Sequence, residues 1–268
     1  MSELLERLYA GEPVDEPVAL VAAHPDDETI GLGSRLGGFR RLRLIHVTDG
    51  APRDGADARR AGFATWQAYA AAREAELGCA LVELGAGAAE RRRYAIADQQ
   101  TVFALAELVH RLTQDLAGMA VVITHAFEHG HPDHDTAALA VLLACARLPD
   151  PPRRVEFAGY HLTGGQEVYG CFRAHPAAPA IALPFDAAAC RRKIAAVACF
   201  GSQADLLARF PIAPEYVRPA PAYDFAEPLP AGSALYDRWH LSLDSRRWSE
   251  AARQAIEAAS ARRPLVLC

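Results

Sequence analysis

Residues 18–28 read VALVAAHPDDE. The first six are apolar, as in a buried strand of a parallel sheet, and they lead directly into the imidazole of His24 and three carboxylates, Asp26 to Glu28. Acidic side chains avoid full burial unless they are paired or bind a metal. Open α/β sheets bind their ligands at the carboxyl ends of strands. The segment therefore predicts a strand of such a sheet that ends in a metal site.

A second cluster of the same kind follows another apolar stretch. Residues 120–124 read AVVIT, and residues 129–135 read HGHPDHD. Because neighbouring parallel strands end at the same edge of a sheet, the two clusters are expected to form one site. Histidine nitrogen and carboxylate oxygen are common ligands of a hydrolytic zinc ion, which keeps one position open for water.

Apolar and polar segments alternate along the chain as they do in βα units. This alternation predicts an α/β fold with a mainly parallel sheet and helices on both faces. Clusters after the first and fourth strands suit a Rossmann-like open sheet with a 3-2-1-4-5 core, in which those two strands flank the binding crevice. The predicted strands are residues 17–23, 41–47, 80–84, 119–125, 154–160 and 179–183. The predicted helices are residues 28–38, 65–79, 98–117, 134–147, 186–200 and 248–261.

The C-terminal part of the chain carries a proline-rich run over residues 211–230. Proline blocks helix formation and removes backbone donors, so an extended segment that wraps around the domain is expected from about residue 211. No linker or internal repeat divides the chain before that run. We therefore expect residues 1–268 to form a single domain.

Composition excludes several classes of function. The 268 residues are 51% apolar and carry a net charge of −5, which allows a large core but gives no basic surface for nucleic acid. The longest basic run, residues 91–93, is interpreted as a solvated loop. No window is apolar enough to span a bilayer, so a soluble cytoplasmic protein is expected. The six cysteines lack C-x-x-C spacing, which favours free thiols.

The two histidine-carboxylate motifs, HPDDE at 24–28 and HPDH at 131–134, resemble the signatures of the PIG-L/LmbE-like family. These proteins are zinc-dependent N-deacetylases, most of which act on N-acetylglucosamine-containing substrates. Weaker family motifs follow in the expected order: Thr48-x-Gly50, the segment from Arg73 to Gly85, and the segment from Lys193, the only lysine, to Gln203. The resemblance covers about residues 18–203. It implies a zinc-dependent hydrolase that removes the N-acetyl group from an N-acetylglucosamine-type amino sugar or its conjugate.

The resemblance also implies a role for each residue of the two motifs. Asp26 is expected to be the general base toward water at the zinc ion. His131 is expected to stabilise the oxyanion of the tetrahedral intermediate, and Asp133 to orient that imidazole. Either Asp26 or His131 could protonate the leaving amine. The same donors accept Fe²⁺, Co²⁺ or Ni²⁺ in place of Zn²⁺. The implied metal ligands are His24, Asp27 and His134.

Three further residues are candidate substrate contacts. Arg73 matches a family arginine that reaches sugar hydroxyls; otherwise it would pair with Glu76 on a helix surface. Asp98 precedes a predicted helix, so it either binds a sugar hydroxyl or caps that helix. His129 stands where some relatives carry a tyrosine whose hydroxyl assists the carbonyl oxygen, and it is either a replacement donor or a loop residue.

Two alternatives to an amino-sugar deacetylase stay open. One is a metal-dependent amidase acting on a non-sugar, thiol-conjugate or antibiotic N-acyl substrate. The other is a zinc-binding interaction module without catalysis, against which the intact Asp26 and His131 argue. The expected partner is a small-molecule amino sugar, with no nucleic acid and no transmembrane segment, and a homo-oligomer is compatible with the sequence.

Overall fold

The computed structural model describes residues 3–227 and 232–262. Seven strands form one sheet in the order β3-β2-β1-β4-β5-β9-β8, and two more form a separate hairpin. The strands of the large sheet are β1 Val18–Ala22, β2 Leu42–Thr48, β3 Glu90–Ile96, β4 Val121–His125, β5 Arg153–Phe157, β8 Ile181–Leu183 and β9 Glu215–Pro219. The hairpin consists of β6 Tyr160–Thr163 and β7 Gln166–Tyr169.

The first five strands are parallel and follow the predicted 3-2-1-4-5 order. In the central strand β1, Val18 pairs with Leu42 of β2 on one side and with Val121 of β4 on the other. All five residues of β1 are buried, which explains why its sequence is continuously apolar. Strand β9 pairs antiparallel with β5, and β8 pairs antiparallel with β9, so β8 runs in the same direction as the first five strands.

Helices cover both faces of the sheet, as predicted. The α-helices are α1 Glu3–Ala10, α2 Asp27–Leu32, α3 Ala56–Arg60, α4 Trp66–Glu83, α5 Leu105–Asp115, α6 Pro132–Cys145, α7 Ala187–Ala198, α8 Ala204–Leu207, α9 Leu235–Arg238 and α10 Ser245–Arg262. Short 3-10 helices occupy Gly33–Gly38, Thr101–Ala104 and Gly201–Gln203. Apolar residues of α1, α4 and α7 pack on the face that contains Leu20, and those of α5, α6 and α10 on the face that contains Val21.

The strand predicted over residues 80–84 is wrong. Helix α4 continues to Glu83 because Leu77, Ala80 and Leu81 keep one apolar face against the sheet. The third strand is instead β3, which includes the arginine run that we interpreted as a loop. It lies at the edge of the sheet, where long charged side chains can reach water and pair with acidic neighbours.

The proline-rich run does not only wrap the fold. Residues 215–219 enter the sheet as β9, between β5 and β8, because Pro214 and Pro219 bracket a short extended segment with free backbone donors. Residues 228–231, at the end of that run, lie outside the described part of the chain. Within the described ranges, no helix is both long and apolar enough to cross a membrane.

Two pairs of side chains tie α7 to its neighbours. Cys79 on α4 and Cys199, directly after α7, form a disulfide, so the expectation of free thiols is wrong for these two residues. Lys193 of α7 is 1% exposed; its Nζ donates to Ile30 O and lies 2.8 Å from Glu215 Oε1. The sole lysine is therefore a buried structural residue.

Candidate metal centre and active site

The two histidine-carboxylate clusters meet at the carboxyl ends of β1 and β4. After β1 the chain turns into α2 and carries His24, Asp26 and Asp27, and after β4 a loop leads to His134 in the first turn of α6. Because β1 and β4 are neighbours in the sheet, side chains far apart in sequence come into contact. The predicted convergence of the clusters is confirmed.

Donor atoms of three residues lie at similar distances from one another, with each carboxylate oxygen of Asp27 facing one histidine. His134 Nε2 is 3.2 Å from His24 Nδ1 and 3.2 Å from Asp27 Oδ1, and His24 Nδ1 is 3.3 Å from Asp27 Oδ2. Tetrahedral coordination with bonds of about 2.0–2.1 Å separates its ligand atoms by roughly 3.3 Å. All three side chains are buried. The structure thus brings together the three residues that sequence reasoning chose as ligands, at a spacing that fits one ion.

Three overlapping groups of donors that could hold a metal ion also cluster here. They are His24, His131 and His134; His24, Asp98, His131 and Asp133; and Asp27, His125 and His134. His125 was not anticipated from the sequence. Its Nε2 accepts a hydrogen bond from the backbone N–H of Ala23 at 2.9 Å, so that lone pair is already used. Burial lowers the pKa of His125 to about 4, and the neutral ring stacks on His134. His125 therefore packs against His134 and has no free Nε2 lone pair with which to bind a metal ion.

The carboxylate of Asp133 faces His24. Asp133 Oδ2 lies 3.3 Å from His24 Nε2, and the carboxylate accepts hydrogen bonds from Gln99 N at 2.7 Å and Thr101 Oγ1 at 2.5 Å. Its distance to His131 Nδ1 is longer, 3.9 Å. The sequence analysis assigned Asp133 to His131, whereas the structure places it where it orients His24 and turns Nδ1 of that ring toward the other two donors.

His131 is held in one orientation at the start of α6. It is the N-cap residue, and its Nδ1 accepts the backbone N–H of Asp133 at 3.2 Å. A neutral imidazole whose Nδ1 accepts must carry its proton on Nε2, and that atom lies 3.7 Å from Asp98 Oδ1. Burial, together with the charge of His24, holds the pKa of His131 well below its usual value.

Asp26 and Arg73 form a buried ion pair. Each is 4% exposed, and Arg73 Nη2 donates to Asp26 Oδ2 at 2.8 Å. Arg73 also donates to Gly50 O at 2.5 Å and to Pro25 O at 3.1 Å. Burial raises the pKa of Asp26 to about 7, although the charge of Arg73 acts in the opposite direction. The alternative of a surface pair between Arg73 and Glu76 is wrong, because Glu76 accepts hydrogen bonds from Ser202.

The backbone around Asp26 is strained and is supported by Glu28. Asp26 has φ +149°, a region that side-chain-bearing residues rarely adopt, and such strain is concentrated at functional sites. The fully buried Glu28 accepts from Asp26 N at 3.2 Å and from Thr29 Oγ1 at 2.5 Å, and it lies 2.9 Å from Nε2 of His46 on β2. His46 is a further residue that the sequence analysis missed.

The site opens into a cavity of about 780 Å³. Asp98 lines it between His24 and His131, with its Oδ1 3.4 Å from His24 Nε2. The alternative that Asp98 caps a helix is wrong, since the following 3-10 helix begins at Thr101 without a side-chain cap. Arg73 also lines the cavity, although three protein acceptors already hold its guanidinium.

Of the two interpretations of His129, the structure favours the loop residue over the replacement donor. Its ring packs on Phe127 with centroids 4.4 Å apart, and its backbone N–H donates to Asp135 Oδ1 at 3.1 Å. It is not among the described residues that line the cavity. Two aromatic residues that the sequence analysis missed, Tyr160 and Trp239, do line it. Neither belongs to a motif, so no sequence signal pointed to them.

A family model described as PIG-L, GlcNAc-PI de-N-acetylase, matches residues 19–145. The chain therefore carries a PIG-L family domain over these residues. The matched region runs from β1 through α6 and includes all three residues of the equidistant donor set. The match to this domain supports a deacetylase enzyme.

Solved structures share this fold. The A40926 pseudoaglycone deacetylase superposes with a TM-score of 0.59 at 17% identity, covering 77% of this chain and 97% of that one. A triple mutant of a deacetylase of teicoplanin biosynthesis gives 0.58 at 18% identity, covering 76% and 97%. No curated protein sequence matches this chain. At such identities the superpositions establish the fold, and the site is argued from its own residues.

Proposed function

We propose that this PIG-L enzyme removes the N-acetyl group from an N-acetylglucosamine-type amino sugar or its conjugate. The observation that carries the proposal is the donor set His24, Asp27 and His134, whose atoms lie 3.2–3.3 Å apart beside two groups suited to amide hydrolysis. Those groups are the carboxylate of Asp26 and the Nε2–H of His131, and both line the same cavity.

The donors fit a divalent metal ion. Two imidazole nitrogens and one carboxylate are a common hydrolytic ligand set for zinc, and Asp133 supplies the carboxylate that orients a metal-binding histidine. Zinc is our first choice, although Fe²⁺, Co²⁺ and Ni²⁺ accept the same donors. A bound ion would supply Lewis-acid chemistry, polarising a carbonyl oxygen and lowering the pKa of water.

Asp26 is placed to move the proton of the attacking water. Arg73 holds its Oδ2, which leaves Oδ1 to accept that proton while water adds to the acetyl carbon. As the carbonyl oxygen gains negative charge, the Nε2–H of His131 donates a hydrogen bond to it. His131 needs no change of protonation for this role, because Asp133 N–H already fixes its tautomer.

Collapse of the tetrahedral species breaks the C–N bond and requires a proton on the leaving nitrogen. The sequence left Asp26 and His131 as candidates. We assign this proton to Asp26, which received it from water in the preceding step, while His131 stays a hydrogen-bond donor. The step then balances. Breaking the C–N bond gives acetic acid and the free amine and leaves Asp26 ionised, and the acid becomes acetate by passing its proton to the amine or to solvent.

The cavity supports a substrate larger than a bare acetamide. Its volume of about 780 Å³ is within the 300–1,000 Å³ range of small-molecule sites. Polar side chains such as Asp57, Arg60 and Gln203 line it together with the aromatic Tyr69. Such a mixture suits a hydroxylated ring, which offers both C–H faces and hydrogen-bonding groups.

Acetate release tests the proposal. Purified protein with measured metal content is offered N-acetylglucosamine, its glycosides, an N-acetylated thiol conjugate and an N-acetylated antibiotic. Release from the sugars supports the proposal, and activity restricted to the last two identifies the amidase alternative. Metal-loaded enzyme that releases acetate from none of them would leave the non-catalytic zinc module as the better interpretation.

Two adjacent variants separate metal binding from proton transfer. Asp26→Asn keeps size and polarity but removes the base, so it should retain metal and lose kcat by about 10²- to 10⁴-fold. Asp27→Asn should lose metal first and regain part of its activity at high added zinc. Loss of zinc from Asp26→Asn, or nearly full activity in that variant, would contradict the assigned roles.

We also propose that the described residues form one domain, since α10 packs Trp248 into the core beside α6. The rest of the domain predicted over residues 1–268 lies outside the described ranges. The expected cytoplasmic location and the oligomeric state stay predictions. Fractionation and light scattering would examine them.

A further inference from the structure

One side of the cavity is built by segments outside the region that matches the family model. Tyr160 comes from the β6–β7 hairpin, residues 201–209 from α8 and the turn before it, and residues 239–242 from the stretch after α9. This side lies next to the donor set, since the ring of Tyr160 is 5.0 Å from the ring of His134. We call residues Tyr160, Arg209 and Trp239 to Ser242 the outer wall.

Trp239 is the large aromatic residue of the outer wall, and it is fixed from two directions. Its indole N–H donates to Glu167 Oε1 on β7 at 3.0 Å. Its ring packs on Tyr160 with centroids 5.4 Å apart. Glu167 is itself held by Arg209, whose Nη1 lies 3.1 Å from Oε2. Trp239 is therefore half-buried and pre-positioned, so a ligand that stacks on it has little side-chain motion to freeze.

The composition of the outer wall matches a carbohydrate ring. A sugar presents an apolar C–H face, which an indole covers well, and hydroxyl groups around its rim, which need polar partners. Arg209, His240 and Ser242 supply such partners beside Trp239. The acetamide of a substrate would lie beside the donor set. One hexosamine ring attached to it would fill only part of the cavity of about 780 Å³.

We propose that the outer wall is a second saccharide subsite, and that the preferred substrate carries another sugar ring next to the N-acetylated one. Trp239 is the specificity-determining residue of this subsite. Tyr160 packs on His134 of the donor set, and Trp239 packs on Tyr160, so Trp239 is the next aromatic ring outward from the donor set. The inference rests on the proposed deacetylase function and adds the substrate class to it. The selectivity would then come from residues 160–242 rather than from the two metal-binding motifs.

The kinetic test compares N,N′-diacetylchitobiose with N-acetylglucosamine. The wild-type enzyme should have a higher kcat/KM for the disaccharide, and Trp239→Ala should reduce that preference by about tenfold through KM, with metal content unchanged. Trp239→Phe keeps an aromatic face and should lose less. Arg238→Ala is the matched control. Arg238 also ties this stretch to the hairpin, through Gly165 O and a longer contact of 3.9 Å to Glu167 Oε1, but it is not among the described residues of the cavity lining.

Binding to metal-free protein gives a readout independent of turnover. Calorimetric titration with chitobiose and with glucosamine should show tighter binding of the disaccharide by the wild type and by Arg238→Ala, but not by Trp239→Ala. If both sugars release acetate and the ratio of kcat/KM for the disaccharide to that for the monosaccharide is the same in wild type and Trp239→Ala, the subsite is refuted and the deacetylase function stands. Absence of acetate from either sugar would overturn the proposed function instead.

Discussion

Replacing Arg73 by lysine decides whether this arginine touches the substrate or positions the base. The sequence suggested a sugar contact, but in the structure the guanidinium is bonded to Asp26, Gly50 and Pro25. Lysine keeps the charge and lacks the planar fork, so it cannot hold all three acceptors in the same geometry. We expect kcat to fall by about 10- to 100-fold with KM within about twofold, because a catalytic group displaced by ~1 Å can lose 10²-fold in rate.

Removing the side chain altogether adds a stability cost. Arg73→Ala leaves the carboxylate of Asp26 buried without its partner, and breaking such a pair costs about 3–5 kcal/mol. For a chain of this size that loss lowers Tm by roughly 10 °C. Arg218 is the matched control, since it is 2% exposed and its Nε donates to Glu156 Oε2 at 3.0 Å. This pair is not part of the described cavity lining. Arg218→Ala should destabilise the protein to a similar extent.

The assay is steady-state deacetylation at a temperature at which both alanine variants are folded. Arg73→Lys and Arg73→Ala should lose kcat, and Arg218→Ala and Arg218→Lys should not. Metal content should stay constant throughout. A raised KM with unchanged kcat in Arg73→Lys would refute the positioning role and return Arg73 to the substrate contact suggested by its motif.

Three further outcomes are expected. His134→Ala should bind zinc far more weakly by metal analysis, whereas His125→Ala should keep it, because the His125 Nε2 lone pair is already used by a backbone N–H. Gly50→Ala should lower kcat in the same way as Arg73→Lys, since a Cβ there would overlap the guanidinium and φ is +66°. Burial raises the pKa of Glu128 to about 8, so its contribution to the free energy of unfolding is greatest below pH 4.5 and decreases as pH rises through 8. Denaturant titrations at pH 5 and 8 should show a smaller pH dependence for Glu128→Gln; an unchanged dependence would contradict this assignment.

The buried part of the fold was predictable because its residues repeat one simple pattern. β1 and β4 are apolar on both faces and end in donor clusters, so both the strand order and the meeting of His24 with His134 followed. Strand β3 could not be predicted in this way, because an edge strand rich in arginine lacks the continuous apolar pattern. The apolar end of α4 has the composition of a strand, and only its packing on the sheet identifies it as helix.

The site was predictable where motif and strand end coincide, and not elsewhere. The pairing of Arg73 with Asp26 joins residues 47 positions apart, and nothing in the spacing of either motif indicates it. The contact of Tyr160 with Trp239 spans a still longer separation and depends on how α9 packs against the β6–β7 hairpin. Such pairs are set by tertiary packing, on which local propensity has no influence.

The burial of Lys193 makes its amine a probe for the separation of α7 from the sheet. Lys193 is the only lysine, and its amine is held between Ile30 O and Glu215 in the native state. An acylating reagent can reach that amine only in molecules in which α7 has separated from the sheet. The mass added to one peptide would therefore count the opened fraction directly, with no label introduced and no competing lysine to correct for.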